Sequence, residues 1–199
     1  MSKRFGKLEN AILVYAPSVI IDGEKQIITT DAGVYLQYGY KEIVRELYPQ
    51  GTKIVYKEQY IENETTIRIT WVEDLEGTRQ LKLADLEIYD TSDEVDGFLV
   101  GDHHMWLDGL ERCKLEQGIK DCMALGRDTY GLCIPEVGVV DLPCDTILDM
   151  LAQLNVYAVD CFKTTFLHEE AIKGLSTIEE IEAYDFTTGY PPKLSFPIV

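Results

Sequence analysis

The first part of the chain combines short apolar runs with turn signals, a pattern typical of a β-rich domain. "AILVYAPSVII" is apolar and β-branched, and the turn pair Asp22-Gly23 follows it. "TTDAGVYLQYGY" then predicts a short helix, with Thr30 or Asp31 as the N-cap and Gly39 as the stop.

The clearest pattern is the alternation in "KIVYKEQYIENETTIRITWVE". Two sets of residues each fall on one side of an extended segment: Ile54, Tyr56 and Tyr60 in the first, and Ile67, Ile69 and Trp71 in the second. The chain turns around Glu62, Asn63 and Glu64. We therefore predict a β-hairpin with an apolar face.

Residues 75–95 have a weaker pattern of charged and small polar residues. "EGTRQLKLADLEIY" is compatible with a short helix, and "DTSDEVDG" is a turn-rich acidic stretch. The spacing of Asp90, Asp93 and Asp96 invites a calcium interpretation, but the ligand order of an EF-hand loop is absent. The pattern predicts a β-rich domain over 1–74, an acidic linker over 75–95 and a second domain over 96–199.

The sequence of the second domain contains both short strand-like segments and segments with helical periodicity. "FLVG" and "HHMW" predict two short strands, and "DTYGLCIPEVGVVDLP" predicts two more. A long helix is predicted over 144–173, where apolar residues repeat every three or four positions. Two shorter helices carry capping-box spacings, formed by Asp108 with Glu111 and by Ser176 with Glu179. The predicted fold class is α+β: a small β-rich domain (hairpin or meander with a short helix), then an α+β domain with a long helix.

Composition narrows the function classes. The 199 residues carry a formal net charge of −17, from 18 Lys and Arg against 35 Asp and Glu. Nucleic-acid binding needs a basic surface, because it depends on displacing cations from phosphates. No apolar run reaches the roughly 18 residues of a membrane span. We therefore expect neither nucleic acid nor membrane as a partner, and the N-terminus lacks the pattern of a secretory signal.

Candidate chemistry concentrates in "GDHHMWLDGLERC", residues 101–113. His103 and His104 are adjacent in a predicted strand, so their side chains point to opposite faces and do not share a metal easily. Asp108 is assigned as a helix cap. The five cysteines lack C-x-x-C spacing and are interpreted as reduced thiols, mostly in the core. We predict no catalytic residue, metal site or cofactor, although a Cys–His pair formed in space stays open.

The second domain resembles DUF4376, a domain of unknown function found in proteins of bacteriophages and prophages. The resemblance covers roughly 100 residues and rests on the motifs Trp106 to Asp108, Leu142 to Asp145, Tyr157, Ala158, Cys161, His168 and Glu182 to Pro191. "FGKLENAILVYAP" with "YLQYGYKEIVRELYP" is similar to a module that opens many prophage proteins of tail or baseplate gene clusters. Neither resemblance implies an activity.

The resemblances imply a phage context, and the lack of an active-site motif favours a non-enzymatic structural or accessory protein of the virion, made in the host cytoplasm. It would bind other virion proteins at the tail, baseplate or tail fibre, with homo-oligomerisation left open. The alternatives are a head or connector accessory protein and, from another class, a small thiol or metal-dependent phage hydrolase. Because interfaces concentrate aromatic residues, Tyr56, Tyr60 and Trp71 are the predicted partner-binding residues. The aromatic tail from Tyr184 is expected to complete the core of its own domain.

Overall fold

The computed structural model describes residues 3–197 and has an α+β fold, as predicted. The chain divides into two compact units, Met1–Thr78 and Arg79–Val199. The first unit contains the elements β1 (Phe5–Glu9), β2 (Ile12–Tyr15), β3 (Ile20–Asp22), β4 (Lys25–Ile27), α1 (Ala32–Gln37), β5 (Lys41–Arg45), β6 (Tyr56–Glu62) and β7 (Thr66–Glu73).

The first unit is built on a five-stranded sheet with the order β2-β1-β5-β7-β6. The predicted hairpin is confirmed: β6 and β7 are antiparallel, and the carboxamide oxygen of Asn63 accepts from the amides of Thr65 and Thr66 at the turn. Strand β5 runs parallel to β7, so the sheet is mixed. The meander alternative is therefore wrong, because a parallel neighbour requires a crossover connection.

The core of this unit lies under the centre of the sheet. Ile67 and Ile69 of the central strand β7 are fully buried, whereas Arg68 between them is exposed, so one face of this strand is covered. Phe5 of β1 stacks on Tyr35 of α1 with 4.4 Å between ring centroids. Helix α1 begins where predicted, since the Asp31 carboxylate accepts hydrogen bonds from two amides of the first turn.

The predicted acidic linker over 75–95 is wrong. Residues Leu75–Asp90 form helix α2, and the boundary between the two units falls inside it, between Thr78 and Arg79. Leu86 and Val95 are buried. Within α2, Leu86 is buried whereas Leu81 and Ile88 are exposed, so the apolar residues of this charged stretch do not form the single stripe that indicates a helix.

The second unit contains β8 (Phe98–Val100), β9 (His103–Met105), α3 (Gly109–Ala124), β10 (Thr129–Ile134), β11 (Gly138–Pro143), α4 (Cys144–Gly174), α5 (Ile178–Ala183) and β12 (Ser195–Phe196). β10 and β11 form a hairpin, and β12, β8 and β9 form a small sheet. The predicted long helix and short strands are confirmed.

One face of α4 forms the main core of the second unit. Ile147, Leu151 and Leu154 pack with Ile119 of α3 and with residues of β8, β10 and β11. The tail completes this core as expected: β12 pairs with β8 in parallel, and Phe196 contacts Phe98 edge to face, with 6.0 Å between ring centroids.

The two predicted capping boxes have different outcomes. That of Asp108 and Glu111 is confirmed at the start of α3. The assignment of Ser176 and Glu179 is wrong by one residue, because Thr177 is the N-cap of α5 and Glu180 is its reciprocal partner. Both registers fit the S/T-x-x-E pattern, so the pattern alone does not distinguish them.

Candidate interaction surface

The predicted partner-binding residues lie on one face of the β6–β7 hairpin. Glu58 is the direct partner of Trp71 and Tyr60 that of Ile69, so Tyr56, Tyr60 and Trp71 share a side of the sheet. Tyr48, from the segment before β6, contacts the ring of Trp71 edge to face at 4.8 Å and that of Tyr56 at 5.8 Å. We call Tyr48, Tyr56, Tyr60 and Trp71 the aromatic face.

The aromatic face is held in place by polar contacts. The indole Nε1 of Trp71 donates to the carbonyl oxygen of Glu46 at 3.1 Å. Arg45 pairs with Glu58 and lies over the Trp71 ring at 5.6 Å. The Tyr60 hydroxyl donates to Glu58 at 2.7 Å. Hydrogen bonds from Tyr60 and Arg45 lower the pKa of Glu58, so this carboxylate stays ionised at neutral pH.

Such a surface is suited to binding another protein. All four aromatic rings are half-buried or exposed, and β6 is an edge strand of the described sheet. Aromatic rings provide contact area at a low entropic cost, which falls further when the rings are already fixed. Tyr48 is the member that sequence reasoning missed, because the segment between β5 and β6 has no regular periodicity.

The stretch 101–113 is a junction between two strands and a helix. Gly101 adopts a φ of 60° in the turn that joins β8 to β9. His103 is paired with Val100 and His104 with Leu99, so the two side chains point to opposite faces. Asp108 caps α3. His103, His104 and Asp108 therefore occupy positions that the strand pairing and the helix cap explain.

His168 lies on α4 where the tail crosses the helix. Its Nε2 contacts the carbonyl oxygen of Thr188 at 2.8 Å and its Nδ1 contacts the hydroxyl of Tyr184 at 2.7 Å. Since a carbonyl only accepts, Nε2 donates to Thr188, and Nδ1 shares the second hydrogen bond with the Tyr184 hydroxyl. His168 therefore fastens the tail to α4, with both ring nitrogens engaged.

The five cysteines are free thiols in three kinds of environment. Cys144 and Cys161 are buried, Cys122 is half-buried, and Cys113 and Cys133 are exposed. The expectation of core positions thus holds for the buried pair and is wrong for the exposed pair. Burial raises the pKa of the Cys144 and Cys161 thiols, so neither is a ready thiolate nucleophile.

The first unit also contains a cavity of about 740 Å³ lined by Lys3, Arg4, Tyr15 and Arg45. Two of its three cations are paired with carboxylates: Lys3 Nζ lies 2.8 Å from Glu42, and Arg45 pairs with Glu58. This pairing reduces the attraction of the cavity for an anion.

Within residues 3–197, His, Cys, Asp and Glu side chains form no group of three that could hold a metal ion. No helix in the same range is long and apolar enough to cross a membrane. Comparisons with protein-family models, curated proteins and solved structures found no match to this chain.

Proposed function

We propose that this chain is a non-enzymatic structural or accessory protein of a bacteriophage that works through protein–protein contacts. The tail, baseplate or tail fibre is the proposed location. The sequence resemblances supply the phage context. The observation that carries the binding role is the aromatic face, in which Tyr56 and Tyr60 of the edge strand β6 lie beside Trp71 of the neighbouring strand β7.

The environments of the reactive side chains support binding over catalysis. His168 has both ring nitrogens engaged in contacts that hold the tail. The buried thiols have raised pKa values, which disfavours the nucleophilic form. The proposed docking element is therefore the first unit, and the second unit is a folded body attached to it.

The test compares neighbouring residues of β6 that point to opposite faces. Tyr60→Ala removes a ring of the aromatic face, whereas Ile61→Ala removes an apolar side chain from the other face, where Ile61 is 52% exposed and Tyr60 is half-buried. Phage particles would be produced with each variant and purified. Mass spectrometry would then measure the ratio of this chain to the major capsid protein.

We expect Tyr60→Ala to lower incorporation at least about tenfold, since aromatic anchors contribute about 2 kcal/mol or more to an interface. Ile61→Ala should be incorporated like the wild type, and melting curves should show both variants folded. Absence of the wild-type chain from particles, or equal incorporation of both variants, would contradict the proposal. Fractionating tails from heads distinguishes the tail location from the head or connector alternative.

A further inference from the structure

Helix α4 has a second apolar face that is exposed. Five large apolar side chains over twelve residues are each more than half exposed: Val156 63%, Val159 65%, Phe162 73%, Phe166 51% and Leu167 57%. Val156, Val159, Phe162 and Phe166 recur every three or four residues and Leu167 adjoins Phe166, so all five form one stripe about 140° wide around the helix. We call this stripe the outer face of α4.

The outer face lies opposite the buried one. Val159 is two residues from the buried Cys161, which is about 200° around the helix axis. A surface helix of a globular protein normally has one apolar stripe and a polar opposite side. A helix that is apolar on both sides is normally buried on both sides, so the outer face of α4 calls for a partner.

We propose that the outer face of α4 is a homodimer interface, in which the α4 helices of two copies pack antiparallel about a two-fold axis near Phe162. This inference is independent of the proposed phage function. It concerns the second unit alone, whereas the docking role was assigned to the first.

The charges on the outer face select this arrangement. The antiparallel pairing places Val159 of one copy against Phe166 of the other, and Phe162 against its own symmetry mate. It also brings Asp160 of each copy beside Lys163 of the other, so that opposite charges meet twice. A parallel pair would instead align Asp160 with Asp160 and Lys163 with Lys163, which is unfavourable.

The shape of the surface is also self-complementary. A groove of about 430 Å³ runs beside the outer face, and its lining includes Val156, Pro191, Pro192 and Leu194. In the antiparallel pair, Leu167 of the second copy lies opposite Val156, at this groove. The two-fold axis repeats the contact, as an isologous interface requires.

The exposed area fits a dimer. The two phenylalanines and three aliphatic side chains together expose on the order of 500 Å² of apolar surface. A stable interface takes about 800 Å² from each partner, a polar rim included. Asp160 at one edge of the stripe, Lys163 between its apolar members and the groove residues beside it supply the additional area.

Sedimentation velocity of the full chain tests the proposal. The mass derived for the wild type should be twice the 22.6 kDa of one chain. Phe162→Glu should raise the dimer dissociation constant by about 100-fold or more, because both copies carry the change at the centre. Ile88→Glu, on α2 at a site that is 68% exposed, is the matched control and should remain dimeric.

A charge exchange tests the antiparallel pairing. Asp160→Lys and Lys163→Asp should each weaken the dimer, and the two together should restore it. A wild-type monomer at tens of micromolar, or an unaffected Phe162→Glu dimer, would overturn the interface. Failure of the double variant to recover would overturn the pairing. None of these results depends on incorporation into particles, so the two proposals fail separately.

Discussion

At the scale of single residues, the hydroxyl of Thr177 determines the residue at which helix α5 begins. The Thr177 hydroxyl accepts from the amide of Glu180 at 3.2 Å, and the Glu180 carboxylate accepts from the amides of Ser176 and Thr177. Those hydrogen bonds lower the pKa of Glu180. The cap satisfies amides that the helix itself leaves without partners.

Thr177→Ala should lower the free energy of unfolding by about 1 kcal/mol, the usual contribution of an N-cap. Ser176→Ala is the control and should change it by less than about 0.5 kcal/mol, since Ser176 contributes its amide and its side chain is exposed. Urea denaturation of the two variants measures the difference. The reverse order of stabilities would show that Ser176 is the cap.

Elements with a strong local signal were predictable from the sequence. Asp108 was predictable as a cap, and the cap of α1 was narrowed to Thr30 or Asp31, because a cap and its partner amides are close in sequence. The β6–β7 hairpin was identified because alternation and turn lie in one continuous stretch. On the candidate surface, this placed Tyr56, Tyr60 and Trp71 on one face.

Elements that depend on distant partners were not predictable. Strand β5 has only five residues, and its parallel partner β7 lies more than twenty residues along the chain. Helix α2 was interpreted as a linker because charged residues dominate its sequence. The burial of Leu86 depends on tertiary contacts that the local pattern does not show. Tyr48 joined the aromatic face through tertiary contacts alone.

The position of α2 has a consequence for fragments. The Arg79 guanidinium donates to the carbonyl oxygen of Leu175 at 2.9 Å, Tyr89 contacts the rings of Phe186 and Tyr190, and Leu86 is buried. The helix from Arg79 onward is therefore part of the second unit, in contrast to the linker that the sequence pattern suggested.

A fragment of residues 79–199 should fold and melt cooperatively. A fragment of residues 96–199 should be less stable by at least about 3 kcal/mol, because it loses the buried Leu86 and the Tyr89 contacts. Circular dichroism melts of the two fragments test this. Equal stability would mean that α2 contributes little to the second unit.

At the scale of the whole molecule, charge opposes self-association. Each chain carries a formal net charge of −17, so two copies repel each other at long range. The Asp160–Lys163 pairs of the proposed dimer join side chains that are exposed in the single chain, and an ion pair between surface groups contributes at most about 1 kcal/mol. Net repulsion should therefore outweigh these pairs in the response to salt.

The dimer should strengthen as salt is added. Raising the ionic strength from about 0.01 M to about 0.15 M shortens the screening length from roughly 30 Å to roughly 8 Å. Long-range repulsion is then reduced, while burial of Phe162 and its neighbours is little affected. Sedimentation at the two salt concentrations measures the change. Dissociation on adding salt would indicate that ion pairs, and not apolar contact, hold the copies together.

The different exposure of the cysteines allows local unfolding of the chain to be detected by thiol labelling. A thiol reagent should modify Cys113 and Cys133 at once, since both are exposed. Cys144, at the first residue of α4, and Cys161, midway along it, should react only when their surroundings open, because burial keeps both thiols protonated and out of reach. Pulsed labelling followed by mass spectrometry would thus separate fraying at the start of α4 from opening at its centre.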